Sequence, residues 1–307
     1  MGHAGAGMGV VLKSLAVLVA LVGAALLTSL LERWLRRRTG GELGPAAAPD
    51  PSQGVQLPNA DRWLFPAGPL TALFGVALAM IVIPFGPGLI GQDLGIAVFY
   101  FIVVVDYVVL GVALSAWGAN TPNAVEAYYR IVAQLVAYVV PLGLALVGAT
   151  MMAQSLSTVT IVEAQAVPYI VFQPLGFALY VVAALMQTYR DPFSEPFAPA
   201  IEGGVLGVAG GWHAIVWRLA LSGVLFVVAA MGAVLFLGGW RGPLLPGPVW
   251  MLLKTYGLMA LLIWLGARVR PLSVAQMLAL AWKVLIPVGL ANVLLVGALI
   301  LLGVGVS

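Results

Sequence analysis

The chain has 307 residues, of which 62% are hydrophobic and only 8% are charged, and its formal net charge is +3. A soluble domain of this length cannot bury so much apolar surface, so the composition indicates a membrane protein. The net positive charge is too small and too scattered for nucleic-acid binding. The absence of cysteine excludes disulfides, iron–sulfur ligation and thiol catalysis by this chain.

Eight segments are apolar and long enough for membrane-spanning helices, which need about 20 residues. None of them has the alternating pattern of a barrel strand. The sequence therefore predicts an all-α integral membrane protein, a polytopic bundle of about eight transmembrane helices that forms a single membrane domain, 1–307. In chain order the predicted spans are about Val10–Leu31, Pro69–Phe85, Leu94–Trp117, Ile131–Met152, Val167–Leu185, His213–Leu237, Val249–Leu265 and Met277–Leu302.

Basic residues predict the orientation of these spans. The first apolar segment lacks a small-residue cleavage site and is followed by ERWLRRR, which indicates a retained helix with its amino terminus outside. Eleven of the 14 lysine and arginine residues then fall on the inner side, as the positive-inside rule requires. An even number of spans places both termini outside. The inner-side connections are predicted at about 32–68, 118–130, 188–212 and 266–276.

Asp106 lies near the middle of the third predicted span, in FIVVVDYVVLG. A charged aspartate at the centre of a membrane helix costs about 2.5–3.5 kcal/mol on insertion scales, so we expect Asp106 to face the bundle interior or water. Acids at such positions often belong to proton pathways, which is one interpretation. The other is a protonated aspartate that is hydrogen-bonded to a neighbouring helix.

A second group of polar residues lies in the fourth and fifth predicted spans. Arg130, Gln134 and Tyr138 are spaced i, i+4 and i+8, which places them on one helix face. They form either a polar seam that runs inward from the inner edge, or an anchoring arginine beside a glutamine that bonds across a helix pair. In the fifth span, Gln173 and Pro174 predict a bent helix.

Residues 188–204, TYRDPFSEPFAPAIEGG, gather charged residues in a Pro-rich connection between two apolar segments. Glu195 and Glu202 lie seven residues apart in it, and the prolines between them argue against a regular helix. Surface solvation is the simplest interpretation of both glutamates. The two histidines, His3 and His213, are far apart and have no acid at ligand spacing, so the sequence predicts no metal site.

Several stretches resemble one family in the same order along the chain. They are LLERWLRRRTGGELGP, ADRWLFPAGPLTALFGVALAMIVIPFGPG, LGIAVFYFIVVVDYVVLGVALSAWGANT, RIVAQLVAY, YRDPF, FLGGW with WMLLKT, and ARVRPLSVAQMLALAWKVLIPVGLAN. The chain resembles the H-subunit family of NADH:quinone oxidoreductase, the respiratory complex I, over nearly its whole length. Eight helices with both ends outside is also the arrangement of that family.

The resemblance implies a membrane subunit of a proton-translocating enzyme complex, not catalytic alone, which joins the peripheral redox arm to the membrane arm. Such a protein contributes to the quinone-binding chamber, binds quinone as a substrate at a shared site, and carries no metal or flavin. The implied partners are peripheral-arm iron–sulfur subunits, antiporter-like membrane subunits and membrane lipid. The implied location is a prokaryotic inner membrane.

The resemblance also implies roles for particular residues. In the family, the connection at 188–204 lines the quinone chamber and leads to a proton path. The implied quinone-chamber residues are Arg190, Gln187, Phe193, Ser194, Glu195 and Arg36, and the implied proton-pathway residues are Asp106, Arg130, Gln134, Tyr138 and Glu202.

The chain departs from the family at several acidic positions. Gln187 and Ser194 stand where the family has a glutamate and an aspartate around its conserved arginine, here Arg190. Val139 and Leu221 stand where the fourth and sixth helices of the family carry glutamates. Asp106, in the place of a third-helix glutamate, is then the main surviving proton-handling carboxyl.

Other functions stay open at this point. One is the equivalent subunit of a membrane-bound hydrogenase or another ferredoxin-linked complex. Another is a structural anchor that has lost quinone and proton chemistry, which the replaced glutamates favour. The lack of an internal repeat counts against a stand-alone secondary transporter.

Overall fold

The computed structural model describes residues 23, 24, 26–31, 34 and 60–303. Residues 23, 24, 26–31 and 34 are helical, and those up to Leu31 belong to the first predicted span. The other residues of that span lie outside the described residues, as does Arg36. Within the described residues the chain forms helices and no β-strand. The predicted all-α class is therefore confirmed.

Eight helices in residues 60–303 are labelled here in chain order. They are α1 (Leu64–Ile81), α2 (Ala97–Ala119), α3 (Pro122–Ala153), α4 (Thr158–Ala164), α5 (Pro174–Gln187), α6 (Gly211–Phe236), α7 (Gly247–Arg268) and α8 (Val274–Leu301). All of these except α4 and α5 are long and apolar enough to cross a membrane, and α5 is a shorter apolar helix. The chain is thus a multi-pass membrane protein, while the count of eight spans and the outside position of both termini stay predictions.

Two of the long helices are locally irregular. α2 consists of two α-helical halves, Ala97–Val105 and Tyr107–Ala119, which are joined at Asp106. In α8, Ala281–Leu285 form a π-helical turn before the helix continues. The break in α2 therefore lies at the single acid of that helix.

Two prolines begin helices that the sequence analysis places differently. α3 begins at Pro122, not near Ile131, so most of the predicted connection at 118–130 is helical. α5 begins at Pro174, so the predicted span from Val167 and its proline bend are wrong. Proline suits the first position of a helix, because the N–H that it lacks has no partner within the helix there.

One end of the bundle, which we call the basic end, contains the start of α1, α3, α6 and α8 and the end of α2, α5 and α7. Hydrogen bonds join neighbouring segments there, such as Asp61 N–H to the Gly118 carbonyl at 2.7 Å and Leu272 N–H to the Pro192 carbonyl at 2.8 Å. The arginines placed at this end by their helices are Arg62, Arg130, Arg190, Arg218, Arg268 and Arg270. This grouping agrees with the predicted inner side, and the orientation in a membrane stays a prediction.

α1 and α2 approach each other closely through small residues. A Cβ at Gly68 would collide with Ser115 Oγ and with the Gly111 carbonyl oxygen, and a Cβ at Gly75 would lie 2.6 Å from the Val104 carbonyl oxygen. Because lipid tails are as apolar as the side chains, such close packing is what holds membrane helices together. Gly75 contacts α2 next to its break, so this packing positions both halves of α2.

α6 forms the centre of the bundle. Every residue from Ala220 to Phe236 is buried, and α6 packs against α1, α5 and α7. A helix that is apolar and buried on all sides needs other helices around it. The helices that surround α6 are also the ones that carry polar residues at the basic end.

The Gly68→Ala variant should destabilise the purified chain, because the added methyl forces α1 and α2 apart. We expect a loss of about 1–3 kcal/mol, the usual cost of overpacking. The measurement is thermal unfolding in mild detergent, followed by far-UV circular dichroism. Gly143→Ala on α3 is the matched control, since among the described residues no atom outside the backbone of its own helix lies within 4 Å of its added Cβ. Equal loss of stability in both variants would contradict the close α1–α2 packing.

Candidate functional site

Asp106 turns toward the bundle at the break in α2. Its Oδ1 accepts a hydrogen bond from the Tyr138 hydroxyl of α3 at 2.7 Å and one from Gln187 Nε2, at the end of α5, at 3.3 Å. Three helices therefore meet at one carboxyl group. The carboxyl has protein partners, as the high cost of placing it in lipid predicts.

A second phenol extends this group of residues. The Tyr189 hydroxyl lies 3.2 Å from the Tyr138 hydroxyl, and the two rings pack edge to face. Tyr138 is 0% exposed and Tyr189 is 1% exposed. We call Asp106, Tyr138, Gln187 and Tyr189 the Asp106 cluster. Tyr189 lies after the end of α5, so no helical periodicity relates it to the other members of the cluster. Its position next to Arg190 is the one sequence signal that could have identified it.

Gln134 fastens the connection between α5 and α6 to α3. Its Nε2 donates to the Met186 carbonyl at 2.6 Å and to the Phe193 carbonyl at 3.1 Å, and the side chain is fully buried. Gln134 lies one helical turn before Tyr138, on the same buried side of α3. The polar face at i and i+4 therefore holds both the connection and Asp106.

Arg190 is buried beside the Asp106 cluster, with 5% of its surface exposed. One guanidinium nitrogen, Nη1, donates to the Thr188 carbonyl and to the Leu221 carbonyl of α6, both at 3.2 Å. Leu221 is a position where the resemblance implies a glutamate. Arg190 therefore bonds to the backbone carbonyl of α6 at the position where the resemblance implies a carboxylate side chain.

Glu195 joins three elements at the basic end. Its carboxylate accepts the backbone N–H of Val274, the first residue of α8, where the helix dipole favours a negative charge. Arg130 donates to the Glu195 carbonyl at 3.2 Å and lies 3.8 Å from its carboxylate. Simple surface solvation therefore does not describe Glu195.

Glu202 lies apart from the Asp106 cluster. It is exposed, and its carboxylate accepts a hydrogen bond from Asn123 Nδ2 at 3.2 Å. Asn123 precedes Tyr138 by fifteen residues on α3, which corresponds to about 22 Å along the helix axis. The structure thus brings Asp106, Gln134 and Tyr138 near one another, while Glu202 and Arg130 lie nearer the basic end.

The described residues that the resemblance assigns to a quinone chamber lie in one short segment, 187–195. Gln187, Arg190 and Phe193 are buried, and Ser194, which donates to Asp191, is half-buried. Arg36 lies outside the described residues. Within 60–303 and the described part of the first helix, no group of three or more His, Cys, Asp or Glu residues could hold a metal ion.

Comparisons with known proteins identify the family of this chain. Residues 52–297 match the family model described as NADH dehydrogenase. The H subunit of NADH-quinone oxidoreductase from Dehalococcoides mccartyi is 32% identical over 301 residues, which cover 92% of this chain and 85% of that relative. An H subunit of NADH-quinone oxidoreductase from Rhizobium meliloti is 31% identical over 321 residues, which cover 94% of this chain and 97% of that relative. The chain belongs to the NADH dehydrogenase family, and the predicted resemblance is confirmed.

A solved structure shares the fold. A chain in the structure of the membrane-bound sulfane sulfur reductase, an archaeal respiratory membrane complex, matches with a TM-score of 0.79 and 21% identity. The match covers 94% of this chain and 99% of that chain. The arrangement of helices described above is therefore that of a known membrane protein fold.

The Gln134→Leu variant should loosen the connection between α5 and α6. The substitution removes two hydrogen bonds and leaves the Phe193 carbonyl without this partner, at a cost of about 1–3 kcal/mol. We expect faster tryptic cleavage after the buried Arg190 in native membranes, measured by mass spectrometry of the fragments. Gln92→Leu, at an exposed position on the opposite end, is the control. Unchanged protection of Arg190 in Gln134→Leu would contradict the role of Gln134.

Proposed function

We propose that this chain is the membrane subunit of a proton-translocating quinone oxidoreductase complex, equivalent to the H subunit of its relatives. The chain forms one membrane domain, 1–307, joins a peripheral redox arm to a membrane arm, and lies in a prokaryotic inner membrane. Family membership supports this proposal, as do the names of the relatives. The observation that carries it is the hydrogen-bonded connection between Asp106, within a membrane span, and the buried segment that begins at Tyr189.

Quinone is a substrate here, bound at a site that this chain shares with a partner. Arg190, Gln187, Phe193, Ser194 and Glu195 supply charged, polar and aromatic groups from a single segment, and Arg36 is proposed to join them. Reduction of a quinone to a quinol takes up two electrons and two protons. A chain without cysteine cannot hold an iron–sulfur cluster by thiolate ligands, so the electrons arrive from partner subunits.

The proposed contribution of this chain is proton handling near the quinone. Asp106 can carry one proton, and Tyr138 and Gln187 hold its carboxyl in place. Gln134 keeps the connection against α3, so that a change of charge or position near Arg190 reaches Asp106 through packed groups. Arg130 and Glu202 lie nearer the basic end and are proposed to belong to the proton pathway. Glu202 can carry a proton there, while Arg130 stays charged and attracts negative groups.

The proposed partners are peripheral-arm iron–sulfur subunits at the basic end, and antiporter-like membrane subunits and lipid around the helices. Purification through an affinity tag, in a mild detergent that keeps complexes intact, tests this assembly. We expect mass spectrometry to identify iron–sulfur subunits with the chain. Purification of the chain alone from native membranes would contradict the proposal, and a nickel-hydrogenase large subunit would support the hydrogenase-type alternative.

The Asp106→Asn variant tests the proton chemistry. Asparagine keeps the size of the side chain but cannot take up a proton, so proton translocation in inverted vesicles should fall about tenfold or more during quinone reduction. Asp61→Asn is the control. Backbone N–H groups of Leu64 and Trp63 bond to Asp61 and hold the pKa of its carboxyl below the usual range, and asparagine also accepts such bonds.

Normal translocation in Asp106→Asn would contradict the proton-handling role. With quinone reduction also unchanged, that result would favour a structural anchor.

A further inference from the structure

We propose that Tyr189 is a proton-relay residue, which completes a chain of hydroxyl groups from Asp106 through Tyr138 to the connection between α5 and α6. This inference rests on the proposed function, because it assigns a route to the proton that Asp106 is proposed to carry. Tyr189 lies outside the groups assigned to the proton pathway by resemblance.

The geometry supplies a continuous hydroxyl path. Tyr138 donates to Asp106 at 2.7 Å, and the Tyr138 and Tyr189 hydroxyl oxygens are 3.2 Å apart. The first distance is typical of an O–H···O bond, and a shift of a few tenths of an ångström brings the second into the usual range. Both phenols are shielded from solvent, so few competing partners surround them.

The other side chain that bonds to Asp106 cannot take over this role. In the described part of the chain, the side chains that donate to Asp106 are Tyr138 and Gln187. An amide donates a hydrogen bond but does not readily take up and release a proton, whereas a hydroxyl donates one proton while its oxygen accepts another. Of the two side chains that donate to the half-buried Asp106, Tyr138 is therefore the one that can pass a proton to the carboxyl.

The proton transfer is balanced when each tyrosine hydroxyl gives up one proton and accepts another. The Tyr138 proton forms an O–H bond on the Asp106 carboxylate, and the Tyr189 proton passes to Tyr138. Tyr189 takes a proton from a hydronium ion, which in this proposal reaches the buried hydroxyl when the connection moves. One proton enters, one reaches Asp106, and both phenols end neutral. Burial raises the pKa of the Tyr189 phenol above its ordinary value, which is consistent with a neutral phenol before and after the transfer.

The backbone of Tyr189 is a second, independent observation. Its φ is 53°, in the left-handed region, directly after the end of α5. This conformation is sterically unfavourable for an L-residue, and glycine or asparagine adopts it more readily. Strain of this kind concentrates at functional sites. The contacts of the side chain explain why a tyrosine occupies this position. Its hydroxyl reaches Tyr138, and its ring packs on Phe197.

The test uses Tyr189→Phe in the complete complex, in inverted membrane vesicles with quinone reduction and proton translocation measured together. Phenylalanine keeps the ring and removes the hydroxyl. We expect the ratio of protons translocated to quinone reduced to fall about tenfold, with the KM for quinone unchanged. The solvent deuterium isotope effect on translocation should also change, which a purely structural role would not cause.

Tyr180→Phe is the matched control. Tyr180 is also a buried tyrosine, on α5, and its hydroxyl donates to the Val228 carbonyl at 2.6 Å, away from Asp106. This variant loses a buried hydrogen bond without breaking the relay, so its ratio should stay at the wild-type value. A fall in Tyr180→Phe equal to that in Tyr189→Phe would overturn the relay.

Tyr138→Phe interrupts the same route at the next hydroxyl and keeps the test decisive if Tyr189→Phe does not assemble. Because the two hydroxyls act in series, the double variant should be no worse than either single variant. A wild-type ratio in Tyr189→Phe or Tyr138→Phe, together with a loss in Asp106→Asn, would overturn the relay and leave the proposed function intact. A native complex that does not reduce quinone would instead overturn the proposed function.

Discussion

A carboxyl group in the middle of an apolar helix needs hydrogen-bond partners inside the protein, because lipid provides none. In this chain that requirement is met by Tyr138 from α3 and Gln187 from α5. The need to satisfy Asp106 therefore draws three helices together at one point. The break in α2 lies at the same residue, and Gly75 of α1 packs against the backbone beside it. The rest of the site is built around this junction.

The connection between α5 and α6 is unusual for a loop, since much of it is buried. Loops usually lie on the surface, because buried backbone groups need partners. Here the partners come from side chains of α3. Gln134 binds the Phe193 carbonyl of the connection, as well as the Met186 carbonyl at the end of α5, and Arg130 binds the Glu195 carbonyl. Glu195 in turn binds the first N–H of α8. This segment is therefore in direct contact with α3, α6 and α8.

Hydrogen bonds are kept at some of the positions where this chain lacks the acids of its family. Positions where the resemblance implies glutamates carry Val139, Gln187 and Leu221. Gln187 supports Asp106 by donating to it, and the Leu221 backbone accepts from Arg190. Structural contacts thus remain at two of these positions although the acids are absent. In the proposed function, proton transfer then depends on hydroxyl groups and on Asp106, which is half-buried.

Much of the fold follows from the sequence alone. Composition determines the membrane environment, because apolar surface on this scale needs lipid, and the lengths of the apolar runs predict most of the helices. The inward position of Asp106, and the shared face of Gln134 and Tyr138, follow from insertion cost and helical periodicity, which are local properties.

Other features were decided by tertiary structure. Pro122 and Pro174 are compatible with a helix start or with a bend inside a helix, and only the packing of neighbouring segments selects the start. Glu195 and Val274 are 79 residues apart, so no local pattern can pair them. Tyr189 lies in an irregular segment, where neither helical nor strand periodicity predicts the direction of a side chain. Its contact with Tyr138 exists because the folded bundle brings the end of α5 against the middle of α3.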